Sequence, residues 1–164
     1  MSTTAISAGL VKELRDRTNA AMMDCKKALV EANGDIEKAL EILRKSGQAK
    51  ADKKQGRTAA DGAIIIQNSE DLKKYLMIEI NSETDFVARD SHFIEFANKV
   101  SKLALDSAQE NVQVIEALPY DANKTVEQAR KELISKIGEN INIRRAKLVH
   151  SEHFIYSYSH NGRI

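Results

Sequence analysis

The chain has 164 residues, of which 42% are hydrophobic and 30% charged, and its formal net charge is +1. That apolar content suffices for a packed core, while the near-balance of charge gives no whole-molecule field to draw in nucleic acid or an anionic membrane. There is no long apolar run and no secretory signal at the start, and the one cysteine, Cys25, cannot form an internal disulfide, so a reducing, cytoplasmic setting is expected.

Residues 6–47 read as three short helices. The first, over Leu10–Arg17, gathers Leu10, Val11 and Leu14 on one face. The second, over Met22–Ala32, places Met22, Cys25 and Leu29 at i, i+3 and i+7, and Gly34 follows as a stop. Asp35 can cap the third, whose stripe is Ile36, Ala39, Leu40 and Leu43, and Gly47 is expected to end it. Helices this short are not stable singly in water, so the three must pack together. Gln48–Gly62 has no large apolar residue and carries Lys50, Lys53, Lys54 and Arg57. It reads as a basic linker, part of which can be helical, and as a solvated connector rather than a phosphate-binding patch.

The hydrophobic period then changes. Ala63–Gln67 is β-rich, Asn68–Asp71 is a turn cluster, and Lys74–Asn81 alternates with Leu76, Ile78 and Ile80 on one face, which predicts a hairpin. Phe93, Phe96, Ala97, Val100 and Leu103 mark an amphipathic helix. Thr125 and Gln128 have capping-box spacing and open a further helix that runs to Ile137 and stops at Gly138. Two more strands are expected, near Asn142–His150 and Phe154–Ser159. The expected fold class is therefore α+β: a three-helix bundle over 1–47, a basic linker over 48–62, and over 63–164 an antiparallel sheet packed with helices on one face. At the end, Asn161-Gly162 signals a hairpin, yet only Arg163 and Ile164 remain to form the returning strand. The expectation is a piece of a longer chain, or an end completed by another molecule.

Chemistry is sparse. The sequence has no Gly-rich phosphate loop, C-x-x-C, H-E-x-x-H or G-x-S-x-G. His92, His150, His153 and His160 lack convincing partners for a metal, and Cys25 fits a small core residue better than a nucleophile. No catalytic residue, metal or cofactor is expected, and the chain reads as a binding protein rather than an enzyme. Asn81–Asp90, NSETDFVARD, stands apart because it joins a core strand to a helix start, at the rim of a sheet where loops present functional groups. Two placements of Phe86 are open. In one, Asp or Thr caps the helix and Phe86 tucks into the core, which periodicity by itself favours. In the other, Phe86 projects beside a carboxylate as a wedge for a partner's pocket.

Several segments resemble a known family. VKELRDRTNAAMMDCKKALVEANGDIEKALEILRKSG at Val11–Gly47 is similar to the amino-terminal module of bacterial elongation factor Ts, as are NSETDFVARD and KIGENINIRRA (Lys136–Ala146) to later parts of it. The tail YSYSHNGRI looks like the opening of that family's next hairpin. The resemblance implies a three-helix unit similar to ubiquitin-associated folds, and a guanine nucleotide exchange factor for elongation factor Tu bound to GDP, acting in translation elongation. It implies no membrane partner and no direct contact with nucleic acid. It assigns Thr84, Asp85, Phe86 and Val87 to the tetrad that dislodges magnesium from the GTPase, and so favours the exposed placement of Phe86. Met22 and Met23 match paired methionines at the GTPase contact, with Met23 the better contact since Met22 lies on the expected core stripe. His160 matches a partner-contacting histidine, and Ile141 is expected in the core. Two departures stand out. Asn19-Ala20-Ala21 replaces a glycine-containing turn, and the family's second core half and carboxy-terminal module are missing, from which weakened exchange is expected. Other readings are a passive protein-interaction module and an RNA-associated factor using Lys50–Arg57 with Arg144 and Arg145.

Overall fold

The computed structural model describes residues 6–18 and 20–160. Helices α1 (Ala8–Thr18), α2 (Met22–Glu31) and α3 (Ile36–Lys54) pack around Val11, Leu14, Cys25, Ala28, Leu29, Ala32 and Ala39. Asp35 caps α3 by accepting the Lys38 amide at 3.1 Å. Cys25 is fully buried among these side chains. Met22 is a correction: it is 57% exposed and lies outside this core. It opens α2, beyond the Cys25, Ala28 and Leu29 stripe that meets the other helices, so periodicity overextended the buried face by one turn.

The third helix does not end at Gly47 but continues unbroken to Lys54, so the first half of the expected basic linker is helix. A glycine inside a helix costs only about 1 kcal/mol relative to alanine, and here its missing side chain is used in packing. A Cβ on Gly47 would stand 3.3 Å from Ser135 Oγ, so α3 passes close to the helix that carries Ser135. Ala51, one turn on, is buried in the second core. The basic residues here are largely paired: Lys50 with Asp24 at 2.6 Å, Lys54 with the Gly138 carbonyl at 2.5 Å, and Arg57 with Glu83 at 3.5 Å. They do not form a free phosphate-binding patch.

Beyond α3 lie β1 (Asp61–Asn68), β2 (Lys74–Ser82), α4 (Asp85–Ala88), α5 (Ser91–Asp106), α6 (Val112–Ala117), β3 (Pro119–Asp121), β4 (Lys124–Thr125), α7 (Val126–Ile137) and β5 (Ile141–His150). Strands β1, β2 and β5 form an antiparallel sheet in that order, with β2 central. Leu76, Ile78 and Ile80 of β2 are fully buried against Phe93, Phe96, Ala97 and Val100 of α5 and Val126 and Ile134 of α7. The capping box at Thr125 and Gln128 forms, and Gly138 ends α7 with φ of 94°. The protein is thus α+β, with helices followed by an antiparallel sheet packed with helices. Ile141 is in the core.

A β-bulge interrupts the β2–β5 register: Ile80 faces Ile143 and Glu79 faces Arg145, leaving Arg144 as the extra residue. The inward set of β5 therefore switches phase, from Ile141 and Ile143 to Ala146 and Leu148. A bulge also turns consecutive side chains toward one partner. Here Arg144 and Arg145 both reach the buried Glu79, at 3.2 and 2.5 Å.

Phe154–Ser159 is the second correction, for no strand occurs over 151–159. The segment is tied to the β1–β2 turn by two backbone bonds, Ser151 N–H to the Lys73 carbonyl and Ile155 N–H to the Leu72 carbonyl, both 3.0 Å. These bonds go to the turn rather than to the outer edge of β5 or β1, and the segment forms no ladder with either strand. Phe154, Tyr156 and Tyr158 are consequently exposed. The hairpin expected at Asn161-Gly162 lies outside the described residues.

Candidate partner-contact site

The site grows from the last residues of β2. There β1 comes so close that a Cβ on Gly62 would lie 2.2 Å from the Ile80 carbonyl oxygen, and Gly62 has φ of 144°. Only glycine fits both conditions. Asn81 and Ser82 are fully buried, and Asn81 donates its side-chain amide to the Asp61 carbonyl at 3.1 Å. The strand end is therefore firmly seated before the chain turns into α4.

That helix is a single turn carrying Asp85, Phe86, Val87 and Ala88. Val87 is 8% exposed and belongs to the core, whereas Phe86 is 80% exposed. Periodicity favoured a buried Phe86, and the structure overturns that expectation. Val87 enters the core and Ala88 packs against it, which leaves Phe86 on the outer side of the turn. Asp85 pairs with Arg89 at 2.5 Å, with both side chains about half exposed. Thr84 stands at the N-cap position, but its side chain caps no amide of the helix. Instead the Thr84 hydroxyl donates to Glu139 Oε1 at 2.8 Å and its amide donates to Glu139 Oε2 at 3.0 Å.

The loop that carries Glu139 is held in turn. Glu83 Oε1 accepts the Asn140 amide at 2.7 Å, and the Asn140 side chain donates to the Arg57 carbonyl at 2.8 Å. Residues 82–84, 138–140 and 54–57 thus form one clasp, with two carboxylates exchanged reciprocally between the first two segments. Charge-assisted bonds of this kind are roughly twice as strong as neutral ones. Both NSETDFVARD and KIGENINIRRA stand out along the sequence, but the bonds between them do not. Glu139 follows a helix stop and, taken alone, looks like an ordinary surface acid; its partner is 55 positions away.

The remaining candidates lie apart from the clasp. Met23 is 62% exposed and forms, with Lys26, Lys27, Val30 and Glu31, a shallow apolar patch on α2 beside the exposed Met22. His160 is exposed and rests on Tyr158, whose hydroxyl lies 3.3 Å from its Nδ1. Neither joins the Thr84 clasp. Behind the tip, burial works to raise the Glu79 carboxyl, but hydrogen bonds from Arg145 and Asn81 and the two arginine charges outweigh it, and its pKa is lowered. Among the described residues no three His, Cys, Asp or Glu side chains group to hold a metal ion, and no helix is long and apolar enough to cross a membrane. The arrangement offers an exposed aromatic ring whose neighbours Thr84 and Val87 are held, with the Asp85 carboxylate beside it.

The chain is similar to known proteins over nearly its whole length. A family model described as "Elongation factor TS" matches residues 83–164. The chain is 58% identical over 160 residues to elongation factor Ts of Arthrospira platensis, covering 98% of this chain and 65% of that protein. It is 54% identical over 155 residues to the Alcanivorax borkumensis protein of that name, covering 94% of this chain and 54% of the relative. For that of Legionella pneumophila (strain Lens) the identity is 53% over 161 residues, covering 98% of this chain and 55% of the relative. The chain thus spans between half and two thirds of the length of these relatives.

Proposed function

The chain belongs to the elongation factor Ts family, and on that premise we propose that it is a guanine nucleotide exchange factor that promotes release of GDP from elongation factor Tu during translation elongation, in the cytoplasm. The observation that supports this reading is the mounting of Phe86. A phenyl ring that is 80% exposed costs solubility and contributes nothing to the core. Its neighbours on either side are fixed, Val87 in the core and Thr84 on Glu139.

In this mechanism Phe86 enters an apolar gap between loops of the GTPase near its magnesium ion. Magnesium bridges the nucleotide phosphates and the protein and carries much of the nucleotide's affinity, so a shift of the loops that hold it loosens GDP. Asp85 then competes for polar groups around the metal. Its bond to Arg89 is a surface pair, which costs little to exchange for a partner's group. Only binding energy realised in the distorted, nucleotide-loosened state accelerates release, so a rigid wedge serves better than a mobile one. By linkage, nucleotide weakens the factor's binding by the factor through which the factor weakens nucleotide binding. The three-helix unit supplies a second contact through Met23 and Met22, and His160 a third. Pairing of Arg144 and Arg145 with Glu79, and of Lys50 with Asp24, speaks against an RNA-binding role.

Stopped-flow release of a fluorescent GDP analogue from elongation factor Tu tests the proposal. The 164-residue chain accelerates release, and Phe86→Ala abolishes most of the acceleration while melting at the parent's temperature. Equal acceleration by the parent and by Phe86→Ala would overturn the role of Phe86, and no acceleration by the parent would reduce the protein to a passive interaction module.

A further inference from the structure

We infer that Glu139 is the positioning residue of the wedge: by accepting both the amide and the hydroxyl of Thr84, it fixes the direction in which Phe86 projects. This rests on the reading of Phe86 given above. A single helical turn does not hold itself in water, because nucleation orders several residues for one hydrogen bond. The turn from Asp85 to Ala88 must therefore be held from outside. Val87 in the core supplies one fixed point. Ala88 packs against the same core and Ser82 Oγ donates to the Thr84 carbonyl at 2.9 Å, but neither holds the Thr84 amide or hydroxyl, and a second point there sets the ring's direction.

Glu139 supplies that second point. At an ordinary N-cap a threonine hydroxyl accepts an amide of the following turn. Here it is drawn away and donates to Glu139 at 2.8 Å, with the Thr84 amide on the other carboxylate oxygen at 3.0 Å. Two bonds from one carboxylate to one residue restrain rotation as well as distance. The carboxylate is itself mounted, since the neighbouring Asn140 amide is held by Glu83, its side chain by the Arg57 carbonyl, and the Gly138 carbonyl by Lys54. The restraint thus extends to the end of α3, the third helix of the amino-terminal unit. Glu139 touches no reacting atom; it acts through Thr84.

The test has a physical arm and a kinetic arm. The chain contains no tryptophan, so Phe86→Trp places a single reporter at the tip. Time-resolved anisotropy reads its motion on the nanosecond scale. Adding Glu139→Ala is expected to lower the residual anisotropy of that ring, with circular dichroism unchanged. In the Phe86 background, Glu139→Ala is expected to cut the maximal rate of GDP release about tenfold, since small misplacements of a working group carry large rate penalties. The half-saturating concentration of the factor stays within about twofold, because the other contacts remain. Glu139→Gln keeps one acceptor oxygen and regains part of the rate. Thr84→Val with Glu139→Ala is no slower than Glu139→Ala alone, as expected for two partners of one interaction. If Glu139→Ala fails to fold, Glu139→Gln carries both arms.

Unchanged anisotropy overturns the inference whatever the kinetics. Lowered anisotropy with an unchanged maximal rate overturns it too, provided Phe86→Ala is inactive. An active Phe86→Ala instead overturns the wedge role of Phe86, and the anisotropy alone then decides whether Glu139 orders the ring.

Discussion

Phe86 and the pair Met22–Met23 are both exposed apolar surfaces, but they are mounted in opposite ways. Phe86 sits on a single helical turn whose neighbours are pinned, Val87 in the larger core and Thr84 on Glu139. The methionines sit on the first turn of α2, whose N-cap, Ala21, makes no side-chain bond, above a small core built from three helices. An aromatic ring with fixed neighbours can transmit force to what it enters. Flexible thioethers adapt to a surface without deforming it. On the function proposed above, the difference predicts different tasks: Phe86 raises the rate of release, and the methionines supply affinity.

Gly62→Ala breaks the mounting at its root. The new Cβ would collide with the Ile80 carbonyl at a backbone angle that alanine rarely adopts, and the expected loss of stability is about 3 kcal/mol. Chemical denaturation checks it, and a loss below about 1 kcal/mol would mean that the strand end near the tip yields more readily than its packing implies. Phe86→Ala comes next, lowering the release rate by a factor corresponding to about 2 kcal/mol, the size of an anchor residue in an interface, with no change in stability. Replacing Met22 and Met23 together by alanine is expected to cost about 1 kcal/mol in apparent affinity and leave the saturating rate alone. A lowered saturating rate in that variant would erase the division of labour.

Arg145→Ala gives the smallest effect, about 0.5 kcal/mol at neutral pH, because the arginine is largely exposed and Arg144 remains on Glu79. Its pH dependence has a definite sign. The Glu79 carboxyl is lowered in the folded protein. Its contribution is therefore complete above the ordinary glutamate value of about 4.3 and is lost as the pH falls through the lowered value. The gap between parent and Arg145→Ala should be full at neutral pH and close in acid. Thermal melts at neutral and acidic pH measure it, and a gap that widens in acid contradicts the assignment.

Much of the fold is legible along the chain because its signals are local. Thr125 and Gln128 lie three apart and cap one another whatever surrounds them. Leu76, Ile78 and Ile80 alternate on a strand whose turn is also marked, and all three are buried. The tip was located for the same reason, as a polar corner between a strand and a helix. Its working geometry was not legible, since Phe86 and Val87 are adjacent apolar residues and either could face the core by pattern alone.

The sequence by itself determined the elements whose free energy is settled within a few residues: the amphipathic face of α5, the capped start of α7, and the hairpin of β1 and β2. Tertiary structure decided the rest. It carried α3 through Gly47 because α7 offers a surface that accepts a helix without a side chain there. It shifted the phase of β5 at Arg144 because two arginines converge on one buried carboxylate. It tied Ser151 and Ile155 to the β1–β2 turn instead of to a strand edge, so Phe154–Ser159 forms no strand. It turned Phe86 outward because Val87 fills the core and Glu139 holds Thr84. In each case the local preferences are nearly balanced, and a contact distant along the chain tips them.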